Sequence, residues 1–400
     1  MIRKSDYGTR TVTASKDLHL LKLVEVGDFV ISLRSFQGGI ERCYHRGIIS
    51  PAYTVLTAIS AGYREYLTYL FKSKHFISSL TLAVTGIREG QNIDYSTLAV
   101  DLLPVPSAEE QTAIVKYLAH ANARIDKAIA AKSRLIALLG ELDRAVENDL
   151  AGSINAGTTD GNPIPWLGLV PSVWKPIPAK RLFKEVDRRS VTGSEGLLSL
   201  RMREGLVDAN DFTETPIPPE ALLGYKIVRP GDIVMNRMRA AIGLFGVATK
   251  EGLVSPDYST MTVEAGVDPG FFLHLFKTDA AMAEFRRRSN GLGTGASGFM
   301  RLYYENFGTI HLPFPPLEEQ MRVTVAIDRQ RAGTMPVRSR VLREVGLLQE
   351  FRTRLVADVV TGQVDVRAIA ATLPDAPESV DTEMSEPNVD LEEVLSESEK

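Results

Sequence analysis

Cysteine is almost missing from this chain: the 400 residues hold one, Cys43. A single thiol excludes an internal disulfide framework and any cysteine-built zinc module, and it fits a reducing, cytoplasmic setting. The six histidines (His19, His45, His75, His120, His274, His311) form no i, i+4 pair and no zinc-type spacing, which argues against a metal site. No apolar run approaches the roughly 18 residues that a membrane span needs, so no membrane partner is expected. The charged start Met1-Ile2-Arg3-Lys4 lacks the apolar stretch of a secretion signal. No G-x-x-x-x-G-K-[ST] loop is present, which argues against a motor ATPase, and no N-P-P-[YF] or D-P-P-[YF] motif for amino-methyl transfer occurs.

The composition itself is that of a globular protein, 44% hydrophobic and 24% charged. The length exceeds one ordinary core, so two or three domains are expected. The net charge of −4 hides an asymmetry. Residues 371–400 carry ten acids and one base, which leaves 45 basic and 40 acidic residues in the body. That tail is rich in Ser, Pro and Glu and has no aromatic residue, so it cannot bury enough apolar surface to offset the entropy of ordering and reads as disordered. The mildly basic body permits nucleic-acid binding without requiring it.

An internal repeat organises the rest. Gly27-Asp28-Phe29-Val30 returns as Gly231-Asp232-Ile233-Val234 at an offset of 204. Ile49-Ser50-Pro51-Ala52-Tyr53 returns as Val254-Ser255-Pro256-Asp257-Tyr258, and Leu70-Phe71-Lys72-Ser73 as Leu275-Phe276-Lys277-Thr278, both at 205. Pro104-Val105-Pro106-Ser107-Ala108-Glu109-Glu110-Gln111 returns as Pro313-Phe314-Pro315-Pro316-Leu317-Glu318-Glu319-Gln320 at 209. Four collinear matches indicate duplication, and the period is far too long for a solenoid. In each copy, short apolar strands are broken by Gly and Pro: Gly27 to Leu33 and Ile48 to Leu56, then Tyr225 to Met235 and Leu253 to Val263. A short helix follows (Tyr63 to Lys72, Pro269 to Lys277), then a final strand (Leu98 to Val105, Phe307 to Phe314). Prolines and first-turn glutamates then open a long helix, because a helix start lacks hydrogen-bond partners and favours negative charge.

The first long helix is expected over about Ser107 to Leu150. Its apolar residues recur in 4-3 spacing: Ile114, Leu118, Ala121, Ile125 and Ala128, then Leu135, Leu139, Leu142 and Val146, with Lys132 interrupting the seam. The second starts near Leu317 and is expected to break near Gly333–Pro336, since proline removes an amide donor and crowds the previous turn. Such length and spacing suit a coiled coil better than a packed core helix, and the two are expected to pair with one another.

Candidate chemistry is sparse. Pro256-Asp257 followed by Glu264 has part of a nuclease carboxylate pair, but Ala265-Gly266 stands where the usual lysine would be, and the repeat partner of Asp257 is Ala52. Gly293-Thr294-Gly295-Ala296-Ser297-Gly298 matches G-x-G-x-x-G without the preceding strand that a dinucleotide site requires. A plain loop or a phosphate-contacting loop fits it better. Basic residues do cluster: Arg34, Gln37, Arg42, Arg46 and Arg88 in the first copy; Arg201, Arg203, Arg237, Arg239, Arg286, Arg287 and Arg301 in the second. The planar guanidinium fork suits guanine edges and phosphates, although any single arginine is as readily a solvated surface charge.

These residues together resemble the specificity (S) subunit of type I restriction-modification enzymes. The resemblance is carried by Gly27 to Ile40, the two Ser-Pro-x-Tyr steps, Leu312 to Gln320 and Val359-Val360-Thr361-Gly362-Gln363-Val364-Asp365-Val366, and covers about residues 20 to 370. It implies an α+β fold: two similar mixed α/β target-recognition domains separated by two long antiparallel coiled-coil helices, with a pseudo-twofold internal repeat. The domains are then 1–106 (first recognition domain), 107–152 (first spacer helix), 153–315 (second recognition domain), 316–370 (second spacer helix) and 371–400 (acidic tail). It further implies a cytoplasmic, non-catalytic reader of a bipartite target in double-stranded DNA, with the helices setting the gap between half-sites. Two modification (methyltransferase) subunits and a restriction (motor/endonuclease) subunit would be its partners. S-adenosylmethionine, ATP and Mg would belong to those partners, and adenine would be the methylated base. The recognition half of a fused restriction-methylation enzyme and a coiled-coil scaffold without DNA binding are the competing readings. One departure stands out: Trp166 precedes Gly231 by 65 residues, whereas Met1 precedes Gly27 by 26, so the first recognition domain is expected to lack about 39 residues and to discriminate DNA weakly.

Overall fold

The computed structural model describes residues 18–33, 35–60, 62–81, 84–85, 92–155, 160–202, 204–211, 217–292 and 299–375. The described chain divides into two compact units: residues up to 134 together with 340–375, and residues 135–339.

In the second unit, a four-stranded antiparallel sheet runs in the order Phe183–Val186, Tyr258–Val263, Ile233–Asn236, Phe245–Val247. Val, Ile, Thr and Phe recur in these strands, the residue types that suit a pleated, half-buried surface. The turn into Ile233–Asn236 needs Gly231, whose φ of +90° is open to glycine at no steric cost. The buried Asp232 accepts from the Arg229 amide at 2.7 Å and from the Arg188 guanidinium at 2.6 and 3.2 Å. The helices Pro269–Phe276 and Asp279–Arg288 are started by Asp268 and Thr278, whose side chains accept from Phe271 N at 3.1 Å and Ala281 N at 3.2 Å. Between sheet and helices lies a phenylalanine core, Phe183, Phe245, Phe272, Phe276, Phe285 and Phe307, all buried. His311–Phe314 pairs antiparallel with Lys175–Pro178.

The first unit repeats this plan in reduced form. Its sheet holds three strands, Glu41–Arg42, Phe29–Ile31 and Thr54–Leu56, in that order. Phe71, which caps the C-terminus of the helix Tyr63–Leu70, packs against Phe29 and against Phe76 of the helix Lys74–Leu80. The expected strand over Leu98 to Val105 is not one: Tyr95–Leu98 is a helical turn, and 99–107 is irregular. Its counterpart His311–Phe314 is a strand because Lys175–Pro178 satisfies its backbone, and the described residues of the first unit supply no such neighbour. In both units the stretch read as one strand across the Ser-Pro step is two, Gly47–Ile49 and Thr54–Leu56, or Gly252–Val254 and Tyr258–Val263.

Two long helices span Ala108–Asn155 (48 residues) and Leu317–Val360 (44 residues). Within the first unit they pair antiparallel: Asp126 bonds Arg352 and Lys132 bonds Glu344, beside an apolar cluster of Ile114, Leu118, Val356 and Val359. Within the second unit Asp143 accepts from Arg338 at 2.9 Å and from Thr334 at 3.0 Å, and Glu147 from Arg331 at 3.3 Å. The expected seam needs correcting in its second half. Ile136 is buried, whereas Leu135 and Leu142 are exposed. Lys132 occupies a seam position rather than interrupting one, and counting it keeps the phase through Ile136, Asp143 and Glu147. The expected break at Gly333–Pro336 is also absent, and the helix runs through Pro336. Pro336 is exposed, so water can satisfy the carbonyl left without a donor, and Arg331, Thr334 and Arg338 tie the flanking turns to the facing helix.

Two further features bear on the ends of the helices. His274 is buried, its Nε2 3.1 Å from Asp328, and burial pulls the nearby Lys277 ammonium down to about 8. Residues 371–375, read as the start of a disordered tail, are placed: Thr372 ends the helix Arg367–Thr372, and Lys116 donates to Asp375 at 3.0 Å. Residues 376–400 lie outside the described residues.

Candidate nucleic-acid interface

The richest convergence of basic side chains is at one end of the four-stranded sheet. The strand Ile233–Asn236 is stopped by its last residue: the Asn236 carboxamide oxygen accepts from Met238 N at 3.0 Å and Arg239 N at 3.2 Å, turning the chain sharply. That turn presents Arg237 and Arg239 on consecutive loop positions. Arg237 donates to the backbone carbonyls of Pro256 (3.1 Å) and Asp257, and its guanidinium lies 6.0 Å from the Tyr303 ring centroid. The Asp257 carboxylate sits 3.8 Å from both Arg237 and Arg301. The amide of Leu302 donates to the Arg237 carbonyl at 2.9 Å, fixing the Arg301 segment beside the loop. Lys226 donates to the Tyr258 carbonyl at 2.8 Å and lies 3.6 Å from Asp187, which also accepts from Arg189 at 3.1 Å. Burial lowers the pKa of the Lys226 ammonium, with Asp187 opposing. Burial also raises that of the Tyr258 phenol, offset by a hydrogen bond from Asn236 and by Arg239.

Arg189 and Lys226 thus gather at Asp187, and Arg237 and Arg301 at Asp257, with Arg239 beside Tyr258 and Glu185 acting on Lys226. Arg239 is exposed and Arg237 half-buried, with Met238 exposed between them. Exposed guanidiniums of this kind are placed to meet a phosphate oxygen. The acid once weighed as part of a nuclease pair, Asp257, instead neutralises two arginines.

The other candidates have different surroundings. Arg201 is 6% exposed at the end of the hairpin strand Leu198–Arg201 and would have to leave that seat to reach a ligand. Arg286 is exposed in the last turn of Asp279–Arg288, while Arg287 is held bidentate by Glu284 at 2.7 Å. In the first unit Arg42 is clamped by Glu65 at 2.7 and 2.8 Å and lies 5.3 Å from the Tyr44 ring. Arg46 pairs with Glu25 at 2.9 Å on the surface, and Gln37 is exposed on the short helix Ser35–Gly38. Arg34, Arg88, Arg203 and the loop Gly293 to Gly298 lie outside the described residues. Sequence reasoning misses Lys226, which sits in a strand and carries no loop signal, and its neighbour Arg189.

Among the described residues no group of three His, Cys, Asp or Glu side chains converges as a metal site, and no helix is long and apolar enough to cross a membrane.

No protein-family model and no curated protein sequence matches the chain. Among solved structures it is similar to a chain from work on complex assembly and conformational transition of the type I R-M system, with 17% identity, 86% of this chain and 84% of that chain covered, and a TM-score of 0.55. It also aligns with an HsdS subunit from Thermoanaerobacter tengcongensis (16% identity, 86% and 82% covered, TM-score 0.40). A type I restriction-modification S subunit from M. genitalium aligns at 14% identity, with 83% and 82% covered and a TM-score of 0.36. The first likeness is one of fold: strand-and-helix units joined by two long helices. The other two are too loose to carry weight.

Proposed function

We propose that this chain is the DNA sequence-recognition subunit of a type I restriction-modification complex, carrying no catalytic site and directing adenine methylation and restriction to a bipartite target. Its partners would be double-stranded DNA, two modification subunits and a restriction subunit. S-adenosylmethionine, ATP and Mg would be bound by those partners, and the complex would work in the cytoplasm. The observation that carries this reading is the repeat itself: two strand-and-helix units of one plan, each followed by a long helix, with those helices paired antiparallel inside each unit. A duplicated reader suits a target of two half-sites, and the basic cluster around Arg237 gives the second unit a means of holding phosphate.

Duplex DNA binding tests it. Phosphate contacts release counterions, so affinity should fall steeply and linearly in log–log terms with salt, by about 0.9 in slope per contact. Replacing both Arg237 and Arg239 with alanine should weaken binding about 10- to 100-fold and flatten that slope by roughly one to two. Affinity that ignores salt, or a double variant that binds as the parent does, would sink the proposal.

A further inference from the structure

In the second unit one segment, two short strands joined by the turn Ala179–Arg181, does three things. Its strand Phe183–Val186 covers the edge of Tyr258–Val263, with Phe183 opposite Val263. The Phe183 ring plugs the core, 5.2 Å from Phe272 and 5.9 Å from Phe276. Upstream, Ile177 pairs with Leu312, which is 0% exposed.

The repeat offsets carry those seats back to the first unit. Val263 corresponds to Ala58, Phe272 to Leu67, Phe276 to Phe71 and Leu312 to Leu103. All four counterparts line one apolar cavity of about 480 Å³. The strand Thr54–Leu56 beside it pairs with Phe29–Ile31, and no other described strand lies along its second edge. Leu103 is 37% exposed where Leu312 is sealed, and Leu102 is 92% exposed next to it. An uncovered strand edge beside an apolar trough is a template for an added strand.

We propose that this trough is a strand-acceptor site that takes, from another polypeptide, an extended segment of the chemistry of Lys175–Val186. An aromatic side chain enters the cavity at the place of Phe183, and the backbone adds to the Thr54–Leu56 edge. Charge favours the same occupant. Residues 175–186 carry four bases (Lys175, Lys180, Arg181, Lys184) and one acid, Glu185, while the acids Asp94 and Asp101 flank the lining residues Tyr95 and Leu103 in sequence. The chain's own 175–186 is committed to its own core and is not the occupant. The site stands whether or not the chain binds DNA.

The test uses the full chain and a labelled synthetic peptide of residues 175–186, followed by fluorescence anisotropy. Saturable binding is expected. It should weaken at least tenfold when Ala58→Trp fills the cavity, when Leu103→Asp charges its lip, and when the peptide carries Phe183→Ala. Absence of saturable binding, equal binding by the Ala58→Trp chain, or equal binding of the Phe183→Ala peptide would overturn the proposal. So would binding that emerges only after residues 1–17 are deleted, because the chain would then fill its own seat.

Discussion

Phe276→Ala should lower the unfolding free energy of the second unit by about 3–5 kcal/mol. Phe276 is 0% exposed, and five other rings surround it: Phe245 at 4.7 Å, Phe285 at 5.5 Å, Phe307 at 5.6 Å, Phe183 at 5.9 Å and Phe272 at 6.1 Å. Truncation removes the transfer energy of the ring and leaves a void that the surrounding sheet and helices cannot close. The repeat counterpart gives an internal control. Phe71 touches two rings, Phe29 at 5.0 Å and Phe76 at 4.8 Å, and already borders the apolar cavity, so Phe71→Ala should cost less. Both tryptophans, Trp166 and Trp174, lie in the second unit, so their emission during urea unfolding reports that unit alone. A Phe276→Ala loss below about 1 kcal/mol would contradict a close-packed aromatic core.

Gln320→Leu should cost about 3 kcal/mol or more in the same assay. The Gln320 side chain is fully buried and fully used. Its carboxamide nitrogen donates to the carbonyls of Pro315 (2.8 Å) and Gly266 (3.1 Å), and its oxygen accepts from Asp268 N at 2.8 Å. Leucine fits the volume but takes this partner from the Asp268 amide and from the carbonyls of Gly266 and Pro315, at about 1–3 kcal/mol for each group that water does not reach. Gln111 repeats one of these bonds, from its nitrogen to the Pro106 carbonyl at 2.8 Å. Gln111→Leu is therefore the milder change. The recurring Pro-x-x-Glu-Glu-Gln step thus has a structural cause: the glutamates meet the open helix start, and the glutamine fastens the preceding loop to it.

Motifs of this kind were legible because local chemistry dictates them. The glycine turns and the onset of both long helices each follow from a few adjacent residues, and each lies where the sequence puts it. Features that depend on a distant partner were not legible. Leu98 to Val105 has strand composition, yet a strand exists only where another backbone answers it. Lys132 looked like a fault in an apolar seam, because nothing local says that Glu344 faces it. Pro336 was read by its intrinsic cost, which exposure and the ion pairs of the flanking turns offset. The arginines show the same limit: composition marks them all alike, while the structure gives Arg42 and Arg287 to glutamates, buries Arg201, and gathers Arg237, Arg239 and Arg301 in one place.

The most direct measurement is the pattern of methylated adenine across the genome of cells that express a type I modification subunit with and without this chain. Recognition by twin units predicts new methylation, dependent on this chain, at one sequence made of two short half-sites separated by a gap of constant length. An unchanged methylation pattern, or transfer of methyl groups by the purified chain alone in the presence of S-adenosylmethionine, would contradict the account.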